Sequence, residues 1–238
     1  DHRDLHSFPT RRSSDLIYIK QNHSQVIIGN AYINLKETIL DYINRNSRDK
    51  KYKNNNITIV YNDKTLINNE IIEIKGRGNT TWLGMKKPYQ IKFDHDIDLF
   101  GFGKCKTWIL LANMYDESLI RTYLTFNIAK DIDKSFPYKG AFLDLYVDNE
   151  YIGNYFLTPK VEIGKGTLDL RNPDAVLVEV DNLHAHENDD IYFRSEIENT
   201  AIFLKDCNNK DNDHLLFTKF EEESNYIAEY ANIPQTNF

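Results

Sequence analysis

The stretch whose reading decides the fold is Ile74-Lys75-Gly76-Arg77-Gly78-Asn79-Thr80-Thr81-Trp82, followed by Lys86-Lys87-Pro88-Tyr89-Gln90-Ile91-Lys92-Phe93. A run rich in β-branched residues enters a two-glycine turn carrying Lys, Arg, Asn and two hydroxyls. A short basic link then opens a second alternating run. Alternation on both sides of a glycine turn reads as two strands of one sheet. Glycines also free backbone N–H groups to face a ligand, and flanking cations add charge, a combination suited to phosphates. The plain alternative is a hairpin turn with solvated lysines.

Working outward, Ile57–Tyr61 and Ile71–Lys75 read as strands around an Asn/Asp-rich turn, and Tyr89–Phe93 continues the sheet. Trp108–Ala112 is a short apolar run, a buried strand or the lead-in to a helix. Asp116 is placed to cap a helix bearing Leu119, Tyr123 and Phe126, with Glu117 in its first turn. Phe142–Val147 and Tyr151–Leu157 form a hairpin, and Val176–Val180, Ile191–Phe193 and Ala201–Leu204 are further strands. Residues 213–230 are helical, with Leu216, Phe220, Ile227 and Tyr230 on one side. Asn30 is expected to cap an early helix through Leu35, Ile39, Tyr42 and Ile43, and Lys50–Asn56 is expected to be a solvated loop. Strands in runs separated by helices predict α+β, one domain with a mixed or antiparallel sheet and flanking helices.

The bulk numbers set limits. A length of 238 residues can bury one sizeable core, and 41% hydrophobic with 13% aromatic residues describes a folded chain. A net charge of −7 argues against a general nucleic-acid binder. No run is long enough for a transmembrane span. Cys105 and Cys207 make no disulfide framework and are expected to be reduced thiols, with a bridge between them left open by the sequence. Residues 1–16, DHRDLHSFPTRRSSDL, break in composition from the Ile-, Asn- and Lys-rich remainder and resemble translated sequencing adapter. They lack the apolar centre of a signal peptide. The expectation is a domain over 17–238, with native termini missing and the compartment left open.

Four blocks in order then carry a resemblance. They are the glycine turn, the Lys86–Lys92 block, Trp108-Ile109-Leu110-Leu111-Ala112-Asn113-Met114-Tyr115-Asp116-Glu117-Ser118-Leu119-Ile120-Arg121, and Leu145-Tyr146-Val147-Asp148-Asn149-Glu150-Tyr151-Ile152-Gly153-Asn154-Tyr155. In order and spacing these resemble the CotH kinase family, named for the spore coat protein H kinases. The resemblance covers residues 71 to 158 nearly intact and is looser to about 206. It implies an atypical protein-kinase-like fold. It also implies transfer of the ATP γ-phosphate to Ser or Thr of a coat or cell-surface protein, with Mg2+ or Mn2+. The partners implied are therefore a nucleotide and a protein substrate.

Kinase chemistry needs cations on phosphates, carboxylates for metal, and an acceptor for the hydroxyl proton. Lys75, Arg77 and Asn79 of the turn, with Lys87 and Lys92, are the candidates for the nucleotide. Lys92 could equally point to solvent and Lys86-Lys87 be an exposed link. Asp116 and Arg121 stay in the nucleotide set chiefly through the resemblance, while Asn113 reads as a backbone hydrogen-bonder. Where the family commonly has Glu-Gln, this chain has Pro159-Lys160, so Glu162 is expected to pair with the nucleotide lysine in place of the missing acid. Asp181 and Asp206 end successive strands, and resemblance makes Asp181 the catalytic residue and a metal ligand, and Asp206 a metal ligand. Either could instead be a turn aspartate. His184, His186 and Glu187 lack zinc-enzyme spacing. Asp94–Asp98 fails as a calcium loop, with Leu99 where glycine is required. No Walker A sequence is present. The rival readings are a non-catalytic coat or surface assembly protein and a phosphotransferase with a small-molecule acceptor.

Overall fold

The structure, a computed structural model, describes residues 26–36, 38–133, 135–180, 191–194 and 200–231. The adapter-like segment, Asp181 and the His184–Asp190 cluster lie outside the described residues. Two compact units are present: the described residues up to Ile91 with Ile109–Thr158, and Lys92–Trp108 with those from Pro159 onward.

Seven strands close a barrel: β1 (Ile28–Asn34), β2 (Tyr52–Tyr61), β3 (Lys64–Gly76), β4 (Tyr89–Asp98), β5 (Lys104–Leu111), β6 (Ala141–Val147) and β7 (Glu150–Pro159). Their order is β1-β2-β3-β4-β5-β7-β6. Closure is made by β1, antiparallel to β2 and parallel to β6, so the sheet is mixed. The far halves of β4 and β5 and the turn joining them belong to the second unit. Alternation builds the core: Ala31 and Ile33, Ile57 and Ile59, Ile72 and Ile74, and Leu143 and Leu145 are all buried. Both hairpin turns carry two successive left-handed residues, Asn62-Asp63 and Asp148-Asn149, as two-residue hairpins demand.

Several expectations are corrected. One sheet was expected; a separate antiparallel sheet, β8 (Val176–Val180), β9 (Tyr192–Arg194) and β10 (Ala201–Cys207), stands in the second unit in the order β8-β10-β9. The expected helix from Asn30 is strand β1, and only α1 (Leu40–Arg45) is helical. Ala31 and Ile33 lie two apart and face inward, which a strand satisfies and a helix does not. The expected loop at Lys50–Asn56 enters β2 at Tyr52. Buried Asn55 and Asn56 are tolerated there because Asn55 accepts from Lys36 N–H and Asn56 donates to the Asn69 carbonyl.

Helix α2 (Arg121–Ile132) lies over the barrel, with Tyr123 against Phe142 and Phe126 against Phe156, ring centroids 5.8 Å apart in each pair. In the second unit α3 (Asp213–Ala231) packs Phe217 on Phe193 at 5.4 Å. No helix among the described residues is long and apolar enough to cross a membrane.

Candidate functional site

In the first unit the glycine turn is wound around its own motif. A Cβ at Gly76 would lie 2.6 Å from the Trp82 ring and 2.9 Å from the Arg48 backbone. Gly78 has φ +78, and a Cβ there would collide with the Thr81 hydroxyl. These close approaches explain both glycines without a ligand. The Arg77 N–H donates to the Pro88 carbonyl at 3.2 Å. Arg48 donates to the Gly78 carbonyl at 2.9 Å and to the Asn79 side-chain oxygen. Lys75 pairs with Asp49 at 3.5 Å. Lys87 donates to the Trp82 carbonyl at 2.6 Å, its ammonium 5.2 Å from that ring's centroid. Lys86 donates to the Asn154 carbonyl and lies 4.5 Å over Tyr155. The Lys86-Lys87 link is therefore folded back on the barrel, and the solvated alternative is corrected.

The glycine turn and the Trp108–Arg121 block meet in a cavity of about 440 Å³, bordered by Arg77, Gly78, Thr81, Asp116 and Arg121. Asp116 is buried and fully engaged. One carboxylate oxygen accepts the Ser118 N–H at 3.1 Å and hydroxyl at 2.5 Å, and the other accepts the Arg121 N–H at 2.8 Å. The Ser118 hydroxyl first, then the two N–H donors and the Arg121 charge, hold this carboxyl below the ordinary aspartate range against some desolvation. The expectation that Asp116 is the N-cap, with Glu117 in the first turn, is corrected: α2 begins at Arg121 after Ile120, so both acids precede it, and Asp116 meets the helix only by accepting the Arg121 N–H. The Asn113 amide donates to the Leu119 carbonyl at 3.1 Å, as read from sequence.

The second unit holds a cavity of about 820 Å³ bordered by Lys92 and Glu162. Lys104, Lys106 and Lys165 border it as well, with Asp96 and Asp98 on the acidic side. One wall is the loop Glu162–Thr167. The Thr167 hydroxyl donates to the Glu162 carbonyl at 2.6 Å, and Leu168 N–H to the same carbonyl at 3.2 Å. Gly166 packs so tightly on the Lys104 backbone that a Cβ would collide with its carbonyl. Asp206 anchors this wall. One oxygen accepts the Ile163 N–H at 2.9 Å, and the other accepts the Cys207 N–H at 3.0 Å and pairs with Lys210. Burial pushes the Asp206 carboxyl up, but Lys210 and the backbone donors outweigh it and hold it below the usual range. Burial, and secondarily the Glu162 charge, pushes the Cys105 thiol up to about 12.

Glu162 pairs with Lys160 at 3.2 Å. Its expected partner, a nucleotide lysine, is thus replaced by the residue that departs from the family pattern. Sequence reading missed Lys104, Lys106 and the Gly164-Lys165-Gly166 loop. The available signal was two glycines around a lysine, the pattern of a backbone that must pass close to another.

Four lysines around one cavity, set against Asp96, Asp98 and Glu162, are the groups there that could meet a polyphosphate's charge. A divalent ion is a different matter. Both Asp206 oxygens are taken by protein donors, and among the described residues no three His, Cys, Asp or Glu side chains come together as a metal site. The described residues alone therefore do not fit Mg2+ or Mn2+, and Asp181 lies outside them.

The glycine turn meets the Trp108–Arg121 block in the first unit, and a lysine-bordered cavity lies in the second. The CotH kinase protein family matches residues 72–235, more than half the chain, and the chain belongs to that family. No curated protein matches it.

Proposed function

We propose that this chain is an atypical protein kinase that transfers the ATP γ-phosphate to Ser or Thr of a coat or cell-surface protein. The observation that carries the reading is the meeting of Lys92 and Glu162 on one cavity with Lys104, Lys106 and Lys165. In this account the four ammonium groups neutralise the nucleotide's phosphates. Asp206 keeps the Glu162–Thr167 wall in place through Ile163. Asp181 remains the assigned acceptor of the hydroxyl proton as the acceptor oxygen bonds to the γ-phosphorus and ADP departs. Arg77, Asp116 and Arg121 are proposed for the nucleotide set only through their shared first-unit cavity. Lys75, Asn79 and Lys87, each engaged within the turn region, serve that unit's folding in this account.

A second reading, a non-catalytic nucleotide or surface-protein binder, is favoured by one observation: Glu162 is neutralised by Lys160. The test is phosphotransfer from labelled ATP to Ser/Thr-rich protein, with the parent, Lys92→Ala and Asp181→Ala. Transfer by the parent that both variants abolish supports the kinase. ATP binding without transfer by the parent supports the binder, and absence of ATP binding overturns the kinase.

A further inference from the structure

A third cavity, of about 800 Å³, lies in the first unit and belongs to none of the motif blocks. The consecutive residues Lys50 to Asn55 border it, facing Tyr42 of α1. A regular strand would send alternate side chains away from one cavity. Here the register with β3 shifts between Tyr52 and Asn55, and Asn54 takes a left-handed φ of +60. That is a bulge, a device that re-aims side chains. The β1 register on β2 stops at Asn56, so the bulge lies beyond the end of its neighbour on that side.

The chemistry of the cleft is one-sided. Lys50, Lys51 and Lys53 are exposed, and no acid is among its described lining residues, although the chain carries a net charge of −7. Lys50 is held in place, 4.8 Å over the Tyr42 ring and 5.5 Å over the Tyr52 ring, donating to the Tyr42 hydroxyl at 3.2 Å. The Tyr52 hydroxyl is buried and meets no hydrogen-bond partner among the described residues. A positioned ammonium and two freer ammoniums are recognition elements for a ligand with several negative charges and polar groups between them.

We propose that this cleft docks an acidic stretch of polypeptide, with Lys51 and Lys53 meeting its carboxylates or phosphoryl groups and Lys50 its intervening polar groups. The proposal stands on the first unit alone and is independent of the kinase reading.

The experiment is fluorescence anisotropy of the whole chain with labelled oligoglutamate, with oligoglutamine as the neutral control and sodium triphosphate as competitor. Oligoglutamate should bind, and more weakly as salt rises. The double variant Lys51→Glu/Lys53→Glu should weaken binding about tenfold or more, the scale of misplaced like charge at an interface. Lys51→Gln/Lys53→Gln provides the same test should charge reversal disturb folding. Equal binding of oligoglutamine, or indifference to both lysine variants, would overturn the proposal. So would displacement by equimolar triphosphate, which would assign the cleft to a free phosphate compound.

Discussion

The Glu162 carboxylate sits 3.2 Å from the Lys160 ammonium, on the wall of the cavity that Lys92 also borders. The chain thus carries, two residues apart, both its departure from the family pattern and a counter-ion for it. Glu162 cannot at once neutralise Lys160 and serve in full as the partner of a nucleotide lysine. Substitution separates these roles. Both side chains are partly exposed, at 40% and 30%, so the pair contributes less than about 1 kcal/mol. Glu162→Gln should leave the urea unfolding free energy within that margin. A loss of several kcal/mol would mean a buried pair that the structure does not contain.

The glycine turn makes a sharper stability prediction. Gly76→Ala forces a methyl group to within 2.6 Å of the Trp82 ring and 2.9 Å of the Arg48 backbone. The cost should be on the order of 1–3 kcal/mol, as for other overpacked sites. Gly101→Ala is the control. Its φ is +73 with nothing within 4 Å, so only backbone strain of about 1–2 kcal/mol applies. Urea denaturation of the two variants compares crowding with strain directly.

Asp116 gives a prediction in acid. Its carboxyl is held low chiefly by the Ser118 hydroxyl, so its contribution is complete above the ordinary value of 3.8 and is lost as pH falls through the lower folded value. Asp116→Ala should lower the thermal midpoint at neutral pH by removing the acceptor for Arg121 N–H and Ser118. The difference from the parent should narrow in strong acid. A pH-independent difference would mean that the carboxylate's charge does not matter.

Cys105 gives the alkaline counterpart. Its thiol is pushed up from 9.0 to about 12, so the unfolded chain ionises first and the folded chain keeps its proton. Stability contributed by this group is present below about pH 9 and falls towards about pH 12. Cys105→Ala should flatten that part of the pH profile. At about pH 8, native Cys105 should react with a thiol reagent only on unfolding.

What was legible in the sequence follows the range of the interactions. Both left-handed hairpin turns, at Asn62-Asp63 and Asp148-Asn149, and the buried run from Trp108 are local features, and local chemistry announces them. The first strand is different. Ala31 and Ile33 alternate for only a few residues, and the partners that make them a strand include Leu145 and Val147, more than a hundred positions away. The same separation hid closure of the barrel. Lys50–Asn56 looked solvated because its asparagines are polar, yet Asn55 and Asn56 are buried on backbone groups supplied by other segments. At the site, Lys92 and Glu162 were found by motif. Lys104, Lys106 and Lys165 were not, because contacts between distant segments, such as the packing of Gly166 on Lys104 and the Lys160 N–H on the Thr107 carbonyl, bring them together.

The central claim is that the lysines of the second-unit cavity hold the nucleotide's phosphates. An acyl-phosphate derivative of ATP, which transfers its label to a lysine beside the bound phosphates, tests this most directly when the labelled peptides are identified by mass spectrometry. The account predicts label on Lys92, Lys104, Lys106 or Lys165, suppressed by excess ATP. Label confined to Lys75 and Lys87, or label that excess ATP does not suppress, would contradict it.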